Sequence, residues 1–265
     1  MHLLSELNDP SLGTHHLRRI LFRKIMHKVI DERPAKRKNR AALKRLIEND
    51  LIRRVSGDEY RRKVQRVYGG PKGALLSTAS LLSLHVPLGE RLFRTRKYDL
   101  RGMRSILDVG SGAGQIAQHL LKYADPDSEI VCTDLSRQML QRARMRLKST
   151  RPELVTADLE RLPFADESFD GVTCGYVLEH LPDPRPGLSE IARVMRKGGR
   201  MLLLATEDNL AGAWTSRLWY CQTFNRKILT QIWEELGLVC RQELWFTKMH
   251  KAMRAGGICV ELEKL

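Results

Sequence analysis

Ile106-Leu107-Asp108-Val109-Gly110-Ser111-Gly112-Ala113-Gly114-Gln115 runs from a short apolar strand into a glycine-rich turn and on into a helical period. Glycines let the backbone turn sharply and let a ligand approach closely. The dinucleotide fingerprint G-x-G-x-x-G would need glycine where Gln115 stands, and here the third glycine, Gly114, comes one place early. Asp108 sits just before the loop. A carboxylate there repels a pyrophosphate and favours a cationic amino acid and sulfonium. The next strand ends at Asp134, twenty residues after Gly114, the place for a carboxylate that accepts hydrogen bonds from ribose hydroxyls. Asp158 follows the third strand. Each acid has a plain structural reading: turn carboxylate, helix cap or solvated loop residue. Their joint placement at successive strand ends points to a ligand in the crevice there.

Outward from this loop, short apolar runs alternate with helical periods. Strands are expected at Ser105–Val109, Glu129–Asp134, Leu154–Ala157, Phe169–Cys174, Met201–Ala205, near Val239–Phe246, and at Ile258–Leu262. Helices are expected over Ala113–Tyr123 and after a Ser136 cap. A third carries Leu188, Ile191, Ala192 and Met195 and ends at Gly198, and another runs from Ile228 to Gly237. Alternation of this kind gives an α/β fold with a largely parallel sheet covered on both faces.

The N-terminal part differs in composition. Met1–Arg104 holds 25 Lys+Arg against 10 Asp+Glu, whereas Ser105–Leu265 holds 21 of each. The net charge of +15 thus resides in a basic extension, 1–104, ahead of a neutral domain, 105–265. Leu17, Leu21, Ile25 and Val29, and then Leu43, Leu46, Ile47 and Leu51, read as amphipathic helices with basic neighbours. Such a field suits an anionic membrane surface, nucleic acid or an acidic partner, and equally a solvated helical face. Few aromatic residues in this part weigh against single-strand nucleic acid stacking.

Composition excludes other classes. With 42% apolar and 29% charged residues, the chain is neither low-complexity nor disordered as a whole. Cys132, Cys174, Cys221, Cys240 and Cys259 form no C-x-x-C pair, so no metal site is expected and the thiols read as reduced and cytoplasmic. Met1–Pro10 lacks the order of a secretory signal, and the uncharged stretch Gly73–Gly89 is too short and polar to span a membrane.

The Asp108–Gly114 loop, Asp134-Leu135 and Asp158-Leu159 resemble the class I S-adenosylmethionine-dependent methyltransferases. The likeness is to the small-molecule branch that includes quinone and phospholipid methyltransferases. Leu162–Asp170, Leu178-Glu179-His180-Leu181 and Arg196-Lys197-Gly198-Gly199-Arg200 carry it further, so that it covers Ser105 to about Thr206. The resemblance implies a Rossmann-like seven-stranded sheet with the last strand antiparallel, and S-adenosyl-L-methionine as cofactor. It implies a cofactor site of Asp108, Gly110, Ser111, Gly112, Gly114, Asp134, Leu135, Asp158, Leu159 and Gly175. Leu135 would lie next to adenine, and Asp158 would face its amino group.

The expected chemistry is in-line displacement of the methyl group by an amine, hydroxyl or ring carbon. His180, just past the fourth strand, is a candidate base with a pKa suited to neutrality, or else a residue that shapes the loop. Tyr176 is a similar candidate. Tyr68 falls in a segment resembling the one that covers the cofactor in relatives, although Gly69 follows it where they often carry Asp. The sequence Cys174-Gly175-Tyr176-Val177 lacks the Asn/Asp-Pro-Pro-aromatic signature of nucleic-acid amino methylation. Gly73–Gly89 and the segment with Trp214, Leu218, Trp219, Tyr220 and Phe224 are expected to line an acceptor pocket or to pack the cap. Two acceptor classes fit: a lipid-like or ring substrate met at a membrane surface, and a soluble secondary metabolite. A cofactor-binding module whose basic arm holds RNA or protein is the non-catalytic alternative. Oligomeric state is not readable from these features.

Overall fold

The computed structural model describes residues 59, 62, 85–219, 221–253 and 257–265. The N-terminal amphipathic segments and Tyr68 lie outside the described residues, as do Tyr220 and positions 73–84. The first described helix, α1 (His85–Arg94), precedes β1 (Ser105–Val109), α2 (Ala117–Tyr123), β2 (Glu129–Asp134), α3 (Arg137–Leu147) and β3 (Glu153–Thr156). Then come β4 (Phe169–Gly175), a 3-10 turn (Leu178–His180), α4 (Pro184–Val194), β5 (Met195–Ala205) and α5 (Leu210–Trp219). The chain closes with α6 (Arg226–Glu235), β6 (Leu238–Glu243), α7 (Lys248–Met253) and β7 (Ile258–Lys264).

The seven strands form one sheet in the order β3-β2-β1-β4-β5-β7-β6. β1 pairs in parallel with β2 and β4, and β4 with β5. β7 runs antiparallel to both β5 and β6. The strand order therefore reverses between β1 and β4, which opens a crevice at the carboxyl ends of those strands. Every residue of β1, and Met201–Ala205 of β5, is buried, so both faces are covered. On one face Ile106, Ile130, Leu202 and Leu204 pack with Leu120 of α2 and with Leu92 and Phe93 of α1.

Tyr98, Leu100 and Met103 belong to that same cluster, N-terminal to the Ser105 boundary expected from charge. The Tyr98 hydroxyl donates to the carbonyls of Val172 (3.2 Å) and Arg200 (3.0 Å). Asp170 fixes the entry to β1: its Oδ2 accepts from the amides of Arg104 (2.9 Å) and Ser105 (3.0 Å). Arg193 clamps the preceding loop through the carbonyls of Leu162 and Phe164 and the carboxylates of Glu190 and Asp166.

Two helix boundaries differ from expectation. α2 starts at Ala117, not Ala113, because Gly110, Gly112 and Gly114 all take positive φ, which a right-handed helix excludes. α4 stops at Val194, so Met195 is already paired with Phe169 in β5 and Arg196 and Lys197 lie in that strand. All five cysteines are free and buried.

Candidate functional site

The glycine loop leaves β1 at the switch point. At Gly110 (φ +63°) a Cβ would lie 2.3 Å from Cγ2 of Val177, so packing alone demands glycine there. Gly112 (φ +53°) is different: a Cβ would meet nothing closer than Gln115 Oε1 at 3.4 Å. A Cβ there would make ordinary van der Waals contact with Gln115 and Met139, so the positive φ, not crowding, is what favours glycine. Its amide donates to Asp134 Oδ2 at 2.9 Å, while Asp134 Oδ1 accepts from the Ser136 amide at 2.8 Å. Asp134 thus ties the loop to the start of α3, where the Ser136 hydroxyl caps Met139 as the sequence suggests. Burial raises the Asp134 pKa, opposed by those two amides.

Asp108 lies beneath the loop and is 1% exposed. Its Oδ1 accepts from the Thr173 hydroxyl at 2.7 Å, and its Oδ2 has no hydrogen-bond partner among the described residues. Burial pushes its pKa up to about 7, with the Asp134 charge adding to the rise. A buried carboxyl with an idle oxygen is costly unless something cationic or hydrogen-bonding arrives beside it. Ser111 spends its hydroxyl on the Asp108 carbonyl (2.9 Å) and its amide on the Thr133 carbonyl (2.8 Å).

The other expected residues fall around the same end of the sheet. Leu135 is half-buried between β2 and α3. Asp158 Oδ1 accepts from the Glu160 amide at 3.0 Å in the turn after β3. Leu159 is buried close to Gly187 of α4. Gly175 ends β4, where a Cβ would strike Ile116. Tyr176 follows with φ +59°, a left-handed conformation rare for a bulky side chain and concentrated at functional sites. Burial pushes its phenol pKa well up, so it stays neutral.

His180 ends the 3-10 turn and is half-buried. Burial lowers its pKa to about 4, which corrects the expectation of a group titrating near neutrality. Trp214 is 63% exposed, so it does not line an enclosed pocket as expected, whereas Phe224 is buried.

Glu179 stands beside His180 and was not singled out by sequence reasoning. It is 1% exposed. Its Oε1 accepts from the Thr206 amide (2.6 Å) and hydroxyl (2.9 Å), which joins the turn after β4 to the end of β5. Burial raises its pKa to about 7, and Oε2 has no partner among the described residues. The signal was an acid enclosed by Leu178 and Leu181 at a strand exit. Among the described residues no His, Cys, Asp and Glu cluster could hold a metal ion.

A mostly parallel sheet whose switch point carries this loop, with acids at β1, at β2 and after β3, has the layout of a nucleoside-binding α/β site. Residues 107–203 match the family model described as a methyltransferase domain. Across that stretch the chain is similar to methyltransferase domains.

A ubiquinone/menaquinone biosynthesis C-methyltransferase of Geobacter sp. strain M21 is 30% identical over 148 residues, covering 54% of this chain and 62% of the relative. A demethylmenaquinone methyltransferase of Deinococcus radiodurans is 38% identical over 126 residues, covering 47% of this chain and 52% of the relative. The chain thus spans between 52% and 62% of the length of these curated relatives. The solved S-adenosylmethionine-dependent methyltransferase of Aquifex aeolicus superposes with a TM-score of 0.52 at 18% identity, over 70% of this chain and 95% of that one. Magnesium protoporphyrin IX methyltransferase from Synechocystis PCC 6803, solved with bound SAH, gives 0.53 at 16%, over 68% of this chain and 82% of that one. At those identities the two structures show the fold.

The Aquifex aeolicus enzyme is S-adenosylmethionine-dependent, and the residues present at this chain's strand ends fit that group. The idle oxygen of buried Asp108 and the carboxylate of Asp134 beside the glycine loop are features that suit such a group.

Proposed function

We propose that the chain transfers a methyl group from S-adenosylmethionine to a ring carbon or headgroup of a lipid-soluble acceptor, with a quinone precursor as the leading candidate. The observation that carries the reading is the placement of Asp108, Asp134 and Asp158 around one glycine loop at the switch point. The quinone methyltransferases similar to it support the acceptor class.

When bound, the cofactor supplies a methyl group already activated by its sulfonium. The chain's own task is to bind and to orient. Asp134 would hold the ribose hydroxyls, and Leu135 and Leu159 would border the adenine, with Asp158 placed for its amino group. Gly110, Gly112, Gly114 and Ser111 shape the turn that would receive the methionine part, and Asp108, when ionised, would balance its positive charge. Gly175 ends β4 without a Cβ, and Tyr176 presents a neutral phenol beside it. His180, neutral at physiological pH, is the candidate to accept a proton or a hydrogen bond from the acceptor, or else shapes the loop. Tyr68 is assigned to the segment that closes over the cofactor.

The basic part of the extension ahead of α1 is assigned to an anionic membrane surface, which would make the protein a peripheral one at the cytoplasmic face. No helix among the described residues is long and apolar enough to cross a membrane. Replacing Lys36, Arg37, Lys38 and Arg40 by Gln weakens flotation with anionic vesicles if that arm holds the surface; unchanged flotation rejects the arm.

Incubation with methyl-labelled cofactor and two acceptors, a demethylated quinone and phosphatidylethanolamine, tests the activity. Label in the quinone ring supports the leading candidate, and label in the aminolipid moves the acceptor within the lipid class. Label only in a water-soluble metabolite, or in none, rejects the proposal.

A further inference from the structure

Arg226, at the start of α6, gathers three chain segments at the crevice end of the sheet. Its side chain is 10% exposed. Nε donates to Glu207 Oε1 (2.8 Å) just after β5, Nη1 to Glu243 Oε1 (2.5 Å) at the end of β6, and Nη2 to the Gly257 carbonyl (3.3 Å) before β7. The backbone adds to this, since Asp208 donates to the Phe224 carbonyl and Phe224 to that of Thr206. Because β5 and β6 both run toward the crevice and β7 runs away from it, α5, the first turn of α6 and α7 all stand at that end.

What these elements show to solvent is distinctive. Among the described residues, five large apolar side chains are exposed: Met145, Trp214, Ile228, Met249 and Leu265. Trp214 lies on α5, Ile228 in the first turn of α6 and Met249 on α7. Beside them stand the exposed cations Arg217, Lys227, Lys248 and Lys251. Neither α5 nor α7 contains an acidic residue. An aromatic, two aliphatic side chains and four cations on short helices at one end suit the interface of an anionic bilayer. Simple solubility would not need the exposed apolar groups.

We infer that α5, the first turn of α6 and α7 form a rim that dips into an anionic lipid surface, so that a lipid-soluble acceptor reaches the strand-end crevice without crossing water. This rests on the lipid-soluble acceptor proposed above but concerns a surface separate from the basic extension. The occupant is a bilayer bearing anionic headgroups. The apolar residues enter the headgroup boundary, and the four cations meet the phosphates and carboxylates.

The test is flotation of the full chain with phosphatidylcholine vesicles containing phosphatidylserine, and with phosphatidylcholine alone. Three forms are compared: wild type, W214S/I228S/M249S and R217Q/K248Q/K251Q. Wild type floats with the anionic vesicles and far less with the neutral ones. Each cation near the surface contributes roughly fivefold, so the Gln variant loses about a hundredfold in partition. The Ser variant loses at least about tenfold.

Calorimetry with S-adenosylmethionine runs alongside, and an unchanged affinity shows that a lost partition is not lost folding. Failure of cofactor binding in wild type would sink the methyltransferase reading. Intact cofactor binding with wild-type partition in both variants overturns the rim alone. Wild type that floats with neither vesicle also overturns it. A soluble protein partner on this rim would appear as that last outcome.

Discussion

Replacing Gly110 by Ala separates two reasons for a glycine at the head of the loop. The φ of +63° puts an L-residue in the left-handed region, at about 1–2 kcal/mol. The new Cβ would also lie 2.3 Å and 2.7 Å from the two Val177 methyls, an overpacking worth about 1–3 kcal/mol more. The combined loss, about 2–5 kcal/mol, is a large share of the about 5–15 kcal/mol that holds an ordinary domain together. Gly237 supplies the control, because its φ is +76° and a Cβ there meets nothing within 4 Å. Guanidinium unfolding should therefore show Gly237→Ala losing only the dihedral part, about 1–2 kcal/mol. Adding Val177→Ala to Gly110→Ala should recover much of the steric part, leaving only the Cβ at 3.1 Å. Equal losses for the two single variants, with no rescue by Val177→Ala, would refute the packing reasoning.

Other outcomes follow from the buried acids and the ion cluster. Asp108 has a folded pKa of about 7 against an ordinary 3.8, so the native state holds a proton that the unfolded chain has released between those values. Its stabilising contribution is complete below about pH 4 and is lost as pH rises through 7. Asp108→Asn should therefore gain Tm relative to wild type between pH 4 and pH 8 while binding the cofactor more weakly; a gap that narrows instead would reverse the sign. His180 remains neutral from pH 5 to 8, so the pH–rate profile should lack an inflection near 6.5, and a limb there that vanishes in His180→Gln would contradict its burial. Arg226→Ala strands two carboxylates and should cost about 3–5 kcal/mol in chemical unfolding. A loss below about 1 kcal/mol would show that water reaches that cluster.

Much of the fold is legible in the sequence because the strands of a covered parallel sheet are continuous apolar runs. Ile106–Val109 and Met201–Ala205 are buried throughout, and both were readable by eye. The N-terminal part of β5 was not readable. Met195 continues the apolar period of α4, and only pairing with Phe169 turns it into a strand. The same holds for Tyr98–Met103, whose basic neighbours hide their place in the core cluster.

At the site, the Asp108 and Asp134 positions were visible from their spacing after apolar runs. The partnerships were invisible, since Thr173 meets Asp108 from a strand sixty-five residues away. Glu179 was hidden for a related reason, because its partner Thr206 lies at the exit of the neighbouring strand β5. Depressed basicity at His180 depends on burial, which no local pattern reports.

Titration calorimetry with S-adenosylmethionine, on wild type and on Asp134→Ala, tests the central claim most directly. One cofactor per chain is expected for wild type, with affinity at least about tenfold weaker once the Asp134 carboxylate is gone. No heat of binding at millimolar cofactor, or the same affinity in both proteins, would contradict a strand-end site gripped by that acid.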